Sequence, residues 1–241
     1  MKRHLIGLMV FLLGLVSLLP AVTSLDSPPP KDAEFTYARI RYHMTPEAIY
    51  VREVPWHHDY PFGDELFPGF VKEVTRVHTE PAAFQIVDID NPDLFKYPFA
   101  YLCEPGYLSL NEKDTKNLRE YLERGGFVMF DDFRGPRHLN NLLYQLKKVF
   151  PNREVVPLEI RHPMFNTFYQ IDTLDVRAPY GPGPVEFLGM EDDHGRLMMV
   201  INYNNDLSEF WEWLDRGELP FRDAASSLKF GVNYLMYAMT H

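Results

Sequence analysis

Two short runs of apolar side chains, Phe99–Cys103 and Phe127–Phe130, constrain this chain most. A strand that is apolar on both faces must be covered on both faces, which is the condition inside a parallel sheet. Each run is followed by a segment of helical periodicity. Leu118, Tyr121 and Leu122 form one stripe; Leu139, Leu142, Leu143, Leu146 and Val149 form another, stopped by Pro151. Strand-like runs at Phe35–Tyr42, Phe84–Ile89, Glu154–Ile160 and Leu197–Asn202 continue the pattern. So do a helical face within Asp64–Thr79 and a closing helix over Ala224–Met239. Strands alternating with helices predict one α/β domain with a mostly parallel sheet and helices on both faces. Ser109 with Glu112 reads as a capping box, and Asp206 with Glu209 as the start of a helix over Leu207–Leu214.

Charge and cysteine usage exclude several classes. The 241 residues carry 24 basic and 34 acidic side chains, a formal charge of −10, against the basic footprint of a nucleic-acid binder. A single cysteine, Cys103, leaves no disulfide framework and no cysteine-based zinc site. Neither a Gly-x-Ser-x-Gly elbow, a P-loop nor a dinucleotide glycine fingerprint occurs.

Residues 1–24 read as a secretory signal peptide. Lys2 and Arg3 precede an apolar run from Leu5 to Leu19, and Pro20–Ser24 supplies small residues for cleavage. An uncleaved membrane anchor is the alternative. Residues 25–33, with Pro28-Pro29-Pro30, read as a stiff linker, and 34–241 as the folded domain. The expected address is periplasmic or extracellular.

In an open α/β sheet, ligands sit beyond the carboxyl ends of the strands. The polar groups predicted there are Arg41, Glu104, Asp131-Asp132 and the segment from Asn202 to Asp206, which includes Asn204. Two carboxylates ending an apolar strand are poorly explained by packing, because a buried unpaired charge is costly. Strand alternation sends one of them into the cleft and leaves the other for capping or for pairing with Arg134. His162, held extended by Pro163, is the candidate acid–base partner of Asp131 or Asp132. The loop from His43 to Gly63 supplies Trp56, His57, Asp59 and Tyr60 as ligand-binding candidates. A proline- and glycine-rich connection, Arg177–Phe187, is the second long loop. No cofactor is predicted, with a divalent metal held by carboxylate and histidine kept open. Cys103 reads as an inert core residue.

FTYARIRY at 35–42, Trp-x-x-Asp-Tyr-Pro at 56–61, the run Gly125–Phe133, His162–Phe165, Val200–Asn204 and the closing Ala238–His241 together resemble one bacterial family, the domain of unknown function 4159. The resemblance spans nearly the whole chain beyond the leader. It implies a flavodoxin-like three-layer sandwich, similar to class I glutamine amidotransferases and to their ThuA-like branch. That family needs a cysteine after the strand Phe127–Phe130, where this chain has Asp131-Asp132, and Cys103 lies one strand earlier. The difference argues against glutamine hydrolysis, since a carboxylate cannot replace a thiolate without changing the mechanism. Longer relatives join this domain to envelope-anchored modules, which implies an envelope protein partner. Two functions remain: a non-catalytic module binding a ligand or protein partner, or a hydrolase or isomerase acting on a carbohydrate-like substrate.

Overall fold

A computed structural model describes residues 32–81, 83–181, 183–214 and 216–241. The signal-peptide reading of 1–24 and nearly all of the linker reading fall outside them. Among the described residues no helix is long and apolar enough to cross a membrane.

Seven strands form one sheet: β1 (Tyr37–Arg41), β2 (Phe84–Asp88), β3 (Phe99–Cys103), β4 (Phe127–Phe133), β5 (Val156–Pro157), β6 (Glu186–Glu191) and β7 (Leu197–Tyr203). The spatial order is β2-β1-β3-β4-β7-β6-β5. The first five in that order are parallel, while β6 runs antiparallel to β7 and β5 antiparallel to β6. Helices α1 (Phe62–Val74), α4 (Leu207–Glu212) and α5 (Phe221–Thr240) cover one face. Helices α2 (Glu112–Glu123) and α3 (Gly135–Val149) cover the other. The result is a three-layer α/β sandwich.

Strand alternation builds both cores at once. Phe127 and Met129 of β4 pack with Phe67, Trp211 and Tyr237, whereas Val128 and Phe130 pack with Leu118, Leu142 and Leu146. The apolar character of both faces of β3 and β4 is therefore a direct consequence of the sandwich.

Three local expectations need correcting. The capping box at α2 is Asn111 with Asp114, not Ser109 with Glu112: Asn111 accepts from the Asp114 amide, and Asp114 accepts from the Asn111 amide. The strand expected over Glu154–Ile160 shortens to Val156–Pro157, an edge pair with a partner on one side only. The end of the proline-rich connection, from Glu186, is the start of β6 rather than loop.

Candidate functional site

The order of strands reverses between β1 and β3: the chain first adds β2 on one side of β1, then crosses to the other. Ligands of doubly wound sheets bind at such a switch point, beyond the carboxyl ends. The loop after β1 carries His58 and Asp59, β3 ends in Cys103 followed by Glu104, β4 ends around Asp132, and Asp206 follows β7.

Backbone geometry singles out the same place. Among the described residues, the non-glycine residues with positive φ are Asp59 (62°), Glu104 (44°), Asp132 (54°) and Asn204 (57°). Left-handed conformations are costly for residues with a Cβ and gather where surrounding structure imposes them for a purpose. At Asp132 the turn coincides with a register shift between Phe130 and Phe133. It takes the Asp132 carboxylate out of the strand's alternation and onto its edge.

His58 is the centre of the group. Its Nδ1 lies 2.7 Å from Asp132 Oδ2, 3.6 Å from Asp59 Oδ1 and 3.7 Å from Glu104 Oε1. The bond to Asp132 drives the imidazole up to about 10, so it is protonated. Asp132, though buried, is held below the usual carboxylate range by His58 and Arg134. Burial, with the Asp132 charge, pushes Glu104 up to about 8 and Asp59 to about 7. Cys103 Sγ stands 3.6 Å from Asp132 Oδ2, where its thiol donates; burial raises it well above its ordinary value, so it stays protonated. Donor atoms of His58, Asp59, Cys103 and Asp132 all lie within 4.8 Å of one another, as do those of Asp59, Asp206 and Glu209. Arg134 faces Asp132 and Asp206 at 3.5 and 3.6 Å.

A buried arginine sets the His58 loop. Arg39 is fully buried on β1 and forks onto Asp64 of α1, with Nη2 2.6 Å from Oδ2. Its Nη1 donates to the carbonyls of Trp56 (3.2 Å) and His58 (2.9 Å). The guanidinium also lies 4.8 Å from the Tyr101 ring centroid. The loop after β1 is thereby tied to strand and helix together.

The remaining candidates divide. Asp131 is an interior cap: its carboxylate accepts from Asn202 Nδ2 (2.9 Å) and from the amides of Leu207 (2.8 Å) and Ser208 (3.0 Å) at the start of α4. Asn204 accepts from the Gly135 amide and donates to the Pro184 carbonyl, pinning the proline-rich loop. Arg41 pairs with Asp88 and, with Trp56, lines a separate recess of about 350 Å³. His57 packs between Trp56 and Tyr60, with ring centroids 5.2 and 4.9 Å away, while His58 takes the central position. His162 is not brought to the site. Its Nε2 lies 3.6 Å from Glu191, which pairs with Leu197 at the opening of β7. The length of β7 places it roughly 20 Å from the carboxyl edge, at about 3.3 Å per residue.

A family model described as Domain of unknown function (DUF4159) matches residues 36–239. The chain belongs to this family. No curated protein matches it. For this DUF4159 domain, sequence reasoning missed Arg39, passed over His58 for His57, and favoured a helix cap for Asp206 within the polar segment Asn202–Asp206. Asp206 does cap α4, accepting from the Glu209 amide, but it also faces Arg134. An arginine amid an apolar strand was the signal available for Arg39. Nothing in the sequence distinguished His58 from His57.

Proposed function

We propose that the domain is an exported ligand-binding module of the cell envelope, whose site is the cage of His58, Asp59, Cys103 and Asp132 and whose ligand includes a divalent metal ion. The observation that carries this reading is the convergence of four ligating side chains within 4.8 Å at the sheet's switch point. Neighbouring carboxylates in this cage repel one another, and a cation relieves that repulsion where otherwise only bound protons do. A bound ion would displace the protons now held by His58 and Cys103, and the resulting set of neutral imidazole, carboxylate and thiolate suits Zn²⁺ or Co²⁺ better than an all-oxygen ion such as Ca²⁺. Export is supported by the order of Lys2-Arg3, apolar run and small residues at the amino terminus, and by the resemblance to envelope-linked relatives.

The test is a thermal-shift series on the metal-stripped full-length chain. Zn²⁺ or Co²⁺ at about a hundred times its Kd should add about 2.7 kcal/mol, a rise of roughly 5–10 °C for a domain of this size. Asp132→Asn should remove that rise. A rise of the same size in Asp132→Asn would contradict a site at the cage.

A second reading is an acid–base enzyme acting on a carbohydrate-like substrate. Environments that drive two carboxyl groups apart define an acid and a base. Glu104, held protonated, and Asp132, held ionised, both face His58 Nδ1. Arg134 then stabilises developing negative charge. In this reading His58 takes the place expected of His162.

A further inference from the structure

A buried serine beneath the cage makes contacts that helix formation does not require. Ser208 stands in the first turn of α4 and is fully buried. Its amide donates to Asp131 Oδ2 at 3.0 Å, which fixes the backbone at that point. Its hydroxyl oxygen lies 2.7 Å from the Tyr101 hydroxyl, 3.1 Å from Asp206 Oδ1 and 3.2 Å from Asp59 Oδ2. Tyr101 and Cys103 are two residues apart on β3, so strand alternation sends both to the same face. Cys103 reaches the cage, and Tyr101 lies one pleat below it.

The direction of these bonds follows from counting protons. Tyr101 is fully buried, and among the described residues Ser208 Oγ is the acceptor for its hydroxyl. A buried hydroxyl that donates to nothing costs about 1–3 kcal/mol. Tyr101 therefore donates to Ser208, and the single proton of Ser208 is left for a carboxylate. Asp206 has other donors: its Oδ1 also accepts from the Glu209 amide at 2.9 Å, and Arg134 faces its Oδ2 at 3.6 Å. The serine proton is thus available to Asp59 Oδ2. With Oδ2 held from below, Asp59 Oδ1 is turned toward the cage, 3.6 Å from His58 Nδ1.

We infer that Ser208 is a positioning residue of the cage. The relay from Tyr101 through Ser208 to Asp59 holds one carboxylate oxygen and presents the other to a bound cation. The inference rests on the metal reading above and deepens it, since Ser208 touches no ion yet sets how tightly one is held. Hydrogen-bond partners behind a metal ligand commonly cost 10–100-fold in metal affinity when they are removed. Asp59 also belongs to the second acidic group, with Asp206 and Glu209. A proton given to Asp59 is withheld from Asp206, so the same hydroxyl ties the two groups together.

The test is a calorimetric titration of the full-length chain with Co²⁺. Ser208→Ala should weaken Co²⁺ binding about tenfold, and Ser208→Thr, which keeps the hydroxyl, should restore most of the affinity. Tyr101→Phe leaves the serine proton for Asp59 and should bind Co²⁺ about as well as the wild type. The double variant Tyr101→Phe/Ser208→Ala strands no buried hydroxyl, so it tests the inference even if Ser208→Ala folds poorly. It should show the same tenfold loss, with a shift in the visible absorption of the bound cobalt that Tyr101→Phe lacks. Wild-type affinity and an unaltered spectrum in the double variant would overturn the inference and leave the metal reading standing. An equal loss in Tyr101→Phe would overturn it too, because packing rather than the serine proton would then set the affinity. No Co²⁺ binding by the wild type would remove the metal reading, and this inference with it.

Discussion

Arg39→Met should destabilise the domain by about 3–5 kcal/mol in urea unfolding, the range for breaking a buried ion pair. Arg39 and Asp64 are both fully buried. Removing the guanidinium leaves the Asp64 carboxylate without its counter-charge in the interior, and leaves two loop carbonyls without their donor. The double variant Arg39→Met/Asp64→Leu removes both charges and should recover most of the stability. It should not recover the site, because the carbonyls of Trp56 and His58 remain untied and the His58 imidazole loses its fixed place. Stability and divalent response therefore separate in the double variant. A loss under about 1 kcal/mol in Arg39→Met would mean that the pair is solvated and does not hold the loop.

Raising the pH from about 5 to 9 without divalent ions should lower stability by about 4 kcal/mol or more, opposite to the usual acid-side loss. Asp59, Glu104 and Asp131 have folded values raised by burial to about 7, 8 and 7. A carboxyl raised in this way binds its proton more tightly when folded. Its contribution is full below the unfolded value near pH 4 and is lost as pH rises through 7 to 8. His58, raised to about 10 by Asp132, has the same sign: its contribution is present below about pH 6.5 and lost toward pH 10. Asp132 has the opposite sign, and its contribution disappears only as the pH falls below its ordinary range. Glu104→Gln should flatten the profile, and a divalent ion at pH 9 should restore part of the lost stability by replacing the missing protons. Chemical unfolding at pH 5, 7 and 9 measures this. A flat profile would show that the carboxylates are solvated well enough to ionise freely.

Much of the fold was legible because packing dictates it. Phe99–Cys103 and Phe127–Phe130 are apolar on both faces only because helices cover both faces, and the stripes of α2 and α3 carry the matching period. β6 was hidden because its first residue follows directly on a proline- and glycine-rich loop. The capping box slipped by two residues because Ser109 and Asn111 both stand three residues before an acid. The site was legible in part, and the limits have particular causes. Asp132 and Glu104 were found from their places at strand ends, Arg134 as a partner of the Asp131-Asp132 pair, and Asp59 from the long loop after the first strand. His58 was passed over for its neighbour His57, since which ring faces the cleft depends on the positive φ at Asp59 and on the carbonyl contacts of Arg39. His162 was grouped with Asp131 and Asp132 because the sequence did not reveal that β5 is only Val156–Pro157 and that the chain after it carries the ring to Glu191 and Tyr237 at the opposite end of the sheet.

The most direct measurement is a Co²⁺ titration of the full-length chain followed by visible absorption, which reports the coordination of bound cobalt. If the cage at His58, Asp59, Cys103 and Asp132 holds a divalent ion, saturable ligand-field bands should appear at one equivalent and be absent in a folded Asp132→Asn variant. No bands in the wild type, or bands of equal intensity in Asp132→Asn, would contradict a metal site at the carboxyl end of β4.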